Sequence, residues 1–74
     1  MDCAQELARG RAAYAGGNYT ASTLHFGRAH GACHDDKRQH LAAHWGLTRA
    51  LLRQGHTAEA FKQWALGVFA AIFD

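Results

Sequence analysis

Apolar residues in this chain recur at three- and four-residue steps, the spacing that lines one face of an α-helix. Between Asn18 and His34 the stripe is Tyr19, Thr23, Phe26, Ala29, His30 and Cys33. Further on it is Leu41, His44, Thr48, Leu51 and Leu52, and then Phe61, Trp64, Ala65, Val68 and Ile72. The opening stretch is weaker, with Leu7 and Tyr14 set among alanines. Three breakers separate these runs: Gly16-Gly17-Asn18, the charged stretch from His34 to Arg38, and Gly55-His56-Thr57. The pattern predicts four helices, over 2–15, 18–33, 36–54 and 57–72.

Local signals agree with those bounds. Asp36 is placed to cap the third helix, with Gln39 three residues on as in a capping box. Gly55 suits a left-handed helix end and Thr57 a following cap. Short turns make neighbouring helices antiparallel, so the expected fold is all-α, two helical hairpins packed together. The whole chain, 1–74, reads as one helical domain.

An internal echo refines this. Gly17-Asn18-Tyr19, followed by Ser22, Phe26 and Ala29, resembles the second half of a tetratricopeptide unit. Gly55-His56-Thr57, followed by Ala60, Trp64 and Gly67, repeats the spacing. The two glycines are 38 residues apart, against about 34 in that repeat, and the usual inter-repeat proline is missing. The resemblance implies two degenerate helix–turn–helix units and, with them, an interaction module for another protein. A second, local resemblance rests on Phe26-Gly27-Arg28-Ala29-His30 followed by His40 and His44-Trp45. It is to small bacterial helical proteins of unknown function with an Ala-His and a following His-x-x-x-His pair, and it implies no activity.

Composition changes the picture in one respect. Eight Lys+Arg against six Asp+Glu give a formal charge of +2, too mild to point to nucleic acid. The apolar run from Trp64 to Phe73 is too short to span a bilayer. The start Met1-Asp2-Cys3 carries acid where a signal peptide has base, so the expected setting is cytoplasmic. Histidine is the outlier: six in 74 residues, four of them between positions 30 and 44.

Those four fall in two pairs, His30 with His34 and His40 with His44. An i, i+4 pair presents both rings on one helix face. Folding the second and third helices about residues 36–38 sets His30 opposite His44 and His34 opposite His40. Cys3 and Cys33 flank the first turn almost symmetrically, which brings both to the same pole. The candidate metal ligands are therefore His30, His34, His40, His44, Cys33 and Cys3. Imidazole suits copper, zinc and nickel, with copper or zinc ahead of nickel. In a reducing cytoplasm the cysteines are expected as buried thiols or metal ligands rather than as a disulfide.

The leading expectation is a small metal-binding protein, a copper or zinc sensor, chaperone or buffer. The alternative is a tetratricopeptide-like interaction module without metal, and a third reading is bis-histidine haem binding. Catalysis is not expected, since no nucleophile–base pair or phosphate loop stands out. Asp35 and Asp36 read as capping residues, Trp45, Trp64, Phe26 and Tyr19 as core, and His25 and His56 as surface. The end of the chain is apolar nearly all round. Trp64, Val68, Phe69, Ile72 and Phe73 are accordingly a candidate interface, most economically that of a symmetric homodimer.

Overall fold

Phe26 is a bulky ring on a helix whose neighbours offer glycine where other helices offer a side chain. In the computed structural model, which describes residues 2–73, four helices follow in order. They are α1 (Cys3–Ala15), α2 (Tyr19–Ala32), α3 (Lys37–Arg53) and α4 (Thr57–Phe73). Each bound lies within two residues of its sequence expectation.

The ends form as the turn residues dictate. Gly17 and Gly55 both adopt left-handed backbone, with φ of 81° and 80°, which suits a residue without a Cβ. Around each, two hydrogen bonds close the preceding helix in a Schellman motif. Asn18 N–H donates to Ala13 O and Gly17 N–H to Tyr14 O; His56 N–H donates to Leu51 O and Gly55 N–H to Leu52 O. Asn18 and Asp36 cap α2 and α3, their side chains accepting from the amides of Ala21 and Gln39. Gln39 does not return the bond to Asp36, because its Oε1 lies against Cys3 Sγ instead. Thr57 is the first residue of α4 rather than its cap.

Packing is sequential. α1 lies on α2, α2 on α3 and α3 on α4, with a further contact between α1 and α3. The result is two antiparallel hairpins laid side by side in a slab of 32 × 28 × 14 Å. Its radius of gyration, 11.2 Å, is that of a fully collapsed chain of this length, about 11 Å. α4 touches only α3, so most of its surface has no helix over it.

The core is small: Leu7, Phe26, Ala29, Cys33 and Ala43, with Cys3, Ala42 and Leu47 packed against it. Phe26 fills the space between α1 and α3. A Cβ built on Gly10 would stand 2.9 Å from its ring, and one on Gly46 only 2.4 Å. A hydroxyl joins this close approach, Ser22 Oγ donating to Gly10 O at 2.9 Å in a buried bond. Gly67 plays the same part between α3 and α4, where an added Cβ would meet the Trp45 ring at 2.9 Å.

Three sequence expectations are corrected here. Cys3 and Cys33, expected as thiols or metal ligands, are joined in a disulfide that ties the start of α1 to the end of α2. The antiparallel hairpin that brought them to one pole also brings their Cα atoms to 4.9 Å, within bonding range. Closing a loop of separation 30 withdraws unfolded-state entropy worth about 3–4 kcal/mol. His25 is not a plain surface residue: its Nδ1 lies 2.8 Å from Oε2 of Glu6, a carboxylate buried to 1% exposure. Trp64 is not core but 48% exposed, because the third apolar stripe turns partly outward and the residues of α4 that face α3 most closely are Ala60 and Gly67.

The glycines make a testable contrast. Gly46→Ala forces the Phe26 ring to move and is expected to destabilise by about 1–3 kcal/mol. Gly27→Ala, at a mid-helix position with nothing within 4 Å, should stabilise by about 0.5–1 kcal/mol. Urea midpoints with unchanged slopes are the measurement; equal midpoints for the two variants would contradict the packing described.

Candidate metal centre

One turn beyond Phe26 on α2, His30 reaches across to α3. Its Nε2 lies 2.9 Å from Nε2 of His44, and the two rings meet edge to face with centroids 4.2 Å apart. His40, one turn before His44, closes the group, its ring centroid 4.4 Å from His30 and 4.8 Å from His44. One nitrogen from each of the three rings lies within 4.8 Å of the others. Such a group is able to hold a metal ion. His34 stands apart: it is exposed, and its ring centroid is 6.2 Å from that of His40.

Depth decreases across the group. His44 is 4% exposed, while His30 and His40 are half-buried. His44 is also oriented from its far side, Nδ1 lying 3.2 Å from Gln63 Oε1 on α4. An amide oxygen only accepts, so Nδ1 carries the proton and Nε2 presents a lone pair to the other two rings. His30 Nε2–H then donates to His44 Nε2. This is the arrangement by which a metal-ligating histidine has its tautomer fixed by a partner on its other nitrogen. Gly67, one turn after Gln63, makes it reachable: an added Cβ there would stand 3.2 Å from the His44 Cβ.

The group disfavours charge on itself. Burial, and then the positive charges of His44, His40 and His34, hold His30 below the usual imidazole range. Burial and then His40 do the same for His44, against a smaller upward pull from its hydrogen bond to Gln63. Both imidazoles are thus neutral at neutral pH, the form that ligates metal. A tetrahedral ion with bonds of about 2.0–2.1 Å spaces its nitrogens by about 3.4 Å. Binding therefore requires His30 and His44 to part by roughly 0.5 Å and the His30 proton to sit on Nδ1, leaving Nε2 free to ligate.

The three rings open into a cleft of about 370 Å³, whose other wall is Leu66, Phe69 and Ala70 of α4. An adjoining cleft of about 200 Å³ runs past His34, Asp35, Lys37 and His40.

The expected ligands thus divide. His30, His40 and His44 come together, His34 stands at the lip, and Cys3 and Cys33 are consumed by each other. Of the expected interface residues Trp64, Phe69, Ile72 and Phe73 are exposed, the last two at 68% and 70%, and Val68 is half-buried. The sequence reading missed Gln63 and Glu6. Gln63 shares a face with Gly67, whereas the other polar residues of α4, Thr57, Glu59 and Lys62, are exposed, but that hint acquires meaning only once α3 is known to lie opposite.

Residues 2–73 match the family described as Protein of unknown function (DUF3703). The chain belongs to this family. Among curated proteins and among solved structures, no match was found. The family's description carries no activity, and it lends nothing to the tetratricopeptide likeness or to the histidine pattern.

The depressed histidines set a pH dependence for the metal-free protein. Unfolded, both titrate near 6.5; folded, they take up protons only at lower pH. Their contribution to stability is full above about 6.5 and is lost as pH falls through the folded values. Glu6, held below its ordinary 4.5 first by its bond to His25, adds a second loss as pH falls below that value. Urea midpoints taken between about pH 7.5 and 5.5 should fall, and His30→Gln/His44→Gln should flatten that fall.

Proposed function

We propose that this chain is a small helical metal-binding protein that holds one copper or zinc ion through His30, His40 and His44, acting as a sensor, chaperone or buffer. The observation that carries this reading is the meeting of three imidazole nitrogens within 4.8 Å, on a deep histidine whose far nitrogen is already held by Gln63. Three buried or half-buried rings in mutual contact are a poor arrangement for stability alone, since burial and neighbouring imidazoles disfavour protonation of His30 and His44 and none fills space as well as leucine. A metal ion takes the lone pairs that these neutral rings turn toward one another.

The donor set narrows the ion. Neutral imidazoles suit zinc, copper and nickel, whereas calcium and magnesium need oxygen donors. With the cysteines in a disulfide no thiolate pulls toward Cu(I), so Zn(II) and Cu(II) lead. Disulfides persist in oxidising compartments, so the Cys3–Cys33 bond favours such a setting over the cytoplasm expected from the sequence. No helix among the described residues is long and apolar enough to cross a membrane.

Titration of tag-free, metal-stripped protein with zinc or copper, followed calorimetrically and by native mass, is the test. One ion per chain is expected, with stability raised by about 2.7 kcal/mol at a hundredfold excess over Kd. His30→Ala/His44→Ala should abolish binding, and Gln63→Leu should weaken it about 10–100-fold. A double variant that binds as the parent does would overturn the assignment.

A second reading has an observation of its own. Phe61, Trp64, Leu66, Phe69, Ile72 and Phe73 are all exposed on α4, which favours an interaction module whose partner is a second copy docked through that helix. Sedimentation should then give a dimer that Phe69→Lys/Ile72→Lys dissociates; a monomer throughout would count against it.

A further inference from the structure

Three protein donors leave a four-coordinate ion one ligand short, and the surroundings of the histidine group limit what the fourth is. Gln63 is already engaged with His44 Nδ1. The facing wall of the cleft, Leu66, Phe69 and Ala70, offers no donor side chain. His34 lines the same cleft but is exposed at its lip, with its ring 6.2 Å from that of His40 and outside the group of three. Cys3 and Cys33 are bonded to each other. The fourth position therefore opens into the cleft, toward solvent and along an apolar wall.

Charge selects the ligand that fills it. Three neutral imidazoles leave the whole charge of a divalent ion uncompensated in a half-buried site. No carboxylate belongs to the group, and Asp35 lies in the adjoining cleft together with the cation Lys37. An anion is the donor that such an ion gains most from. The wall selects further: Leu66 and Phe69 are exposed, so a ligand carrying an apolar body buries them, whereas an inorganic anion leaves them wet.

We infer that the open fourth position on the His30–His40–His44 ion is a binding site for an exogenous organic carboxylate, its oxygen on the metal and its carbon body against Leu66 and Phe69. This rests on the metal reading above and deepens it. A pocket lined by hydrophobic side chains with a few convergent polar groups is the usual form of a small-molecule site, and here the polar element is the ion itself. Under this inference the chain is a metal-dependent carboxylate binder, and the exposed apolar residues flanking the histidines belong to its ligand site.

Cobalt(II), which occupies zinc-type sites and reports its coordination through visible absorption, allows the two readings to fail separately. Metal uptake is measured first, by elemental analysis of the cobalt-loaded protein; acetate and benzoate are then titrated at fixed ionic strength. Both should shift the visible bands saturably. Benzoate should bind about tenfold more tightly than acetate, from the ring area it buries on the wall. Phe69→Ala, a change at an exposed side chain outside the three histidines, should remove most of that difference while leaving cobalt uptake unchanged. Cobalt bound at one per chain with bands indifferent to both anions would overturn the inference and leave the metal site standing. If His34→Ala then restored the response, His34 would be the fourth ligand. Equal affinities for benzoate and acetate would overturn the role of the wall. Failure to take up cobalt, zinc or copper at all would remove the metal site and this inference with it.

Discussion

The close approach of α2 to its neighbours on either side of the Phe26 ring is the constraint on which the rest of the molecule depends. Glycine at positions 10 and 46 lets both neighbouring helices come up to the ring, to distances at which any Cβ would collide with it. That contact sets the spacing and register of α2 against α3. One turn along the same face, the same register puts His30 in hydrogen-bond contact with His44. The packing of the core and the geometry of the histidine group are consequently one problem, solved by one ring. A helix pair held a methyl group further apart would keep its secondary structure and lose the convergence of the imidazoles.

The second clamp acts from the other side. Gly67 brings α4 down onto α3 beside His44 and Trp45, and Gln63, one turn earlier, thereby reaches His44 Nδ1. His44 is thus held between two helices, its inner nitrogen turned toward His30 and His40. Among the described residues, no carboxylate joins the group it forms with His30 and His40. At the far side of α2 the solution differs, since the buried Glu6 carboxylate is met directly by His25 and Arg9. One buried titratable group is neutralised by partners within the chain, while the other group stays neutral by keeping its protons off. The contrast separates a structural ion pair from a group of neutral imidazoles that could hold a metal ion.

Sequential packing explains the remaining surface. Because α4 touches only α3, the apolar stripe that would be shared between two neighbours in a closed bundle is left half uncovered. Leu66 and Phe69 form the wall of the histidine cleft, and Phe61 and Trp64 lean together further along the helix. The disulfide supports the opposite edge, fastening the start of α1 to the end of α2. An array of this size, with a core of few large side chains, gains from such a crosslink what a larger domain obtains from burial.

Much of this was legible in the residues alone. Periodicity, three breakers and the left-handed glycines determined four helices and their ends, because hydrogen bonding within a helix and its turn is local in sequence. The i, i+4 pairing of histidines about a short turn determined that His30 would face His44, because an antiparallel hairpin has a fixed register once its turn is known. What only the tertiary structure decided lies between elements that are distant in sequence. It joined Cys3 to Cys33, set His34 apart from the other three histidines, brought Gln63 to His44 and Glu6 to His25, and turned Trp64 outward. Each of these depends on distances of a few ångströms between helix surfaces, which the volumes of Gly10, Gly46 and Gly67 against Phe26 and Trp45 control and no one-dimensional pattern records.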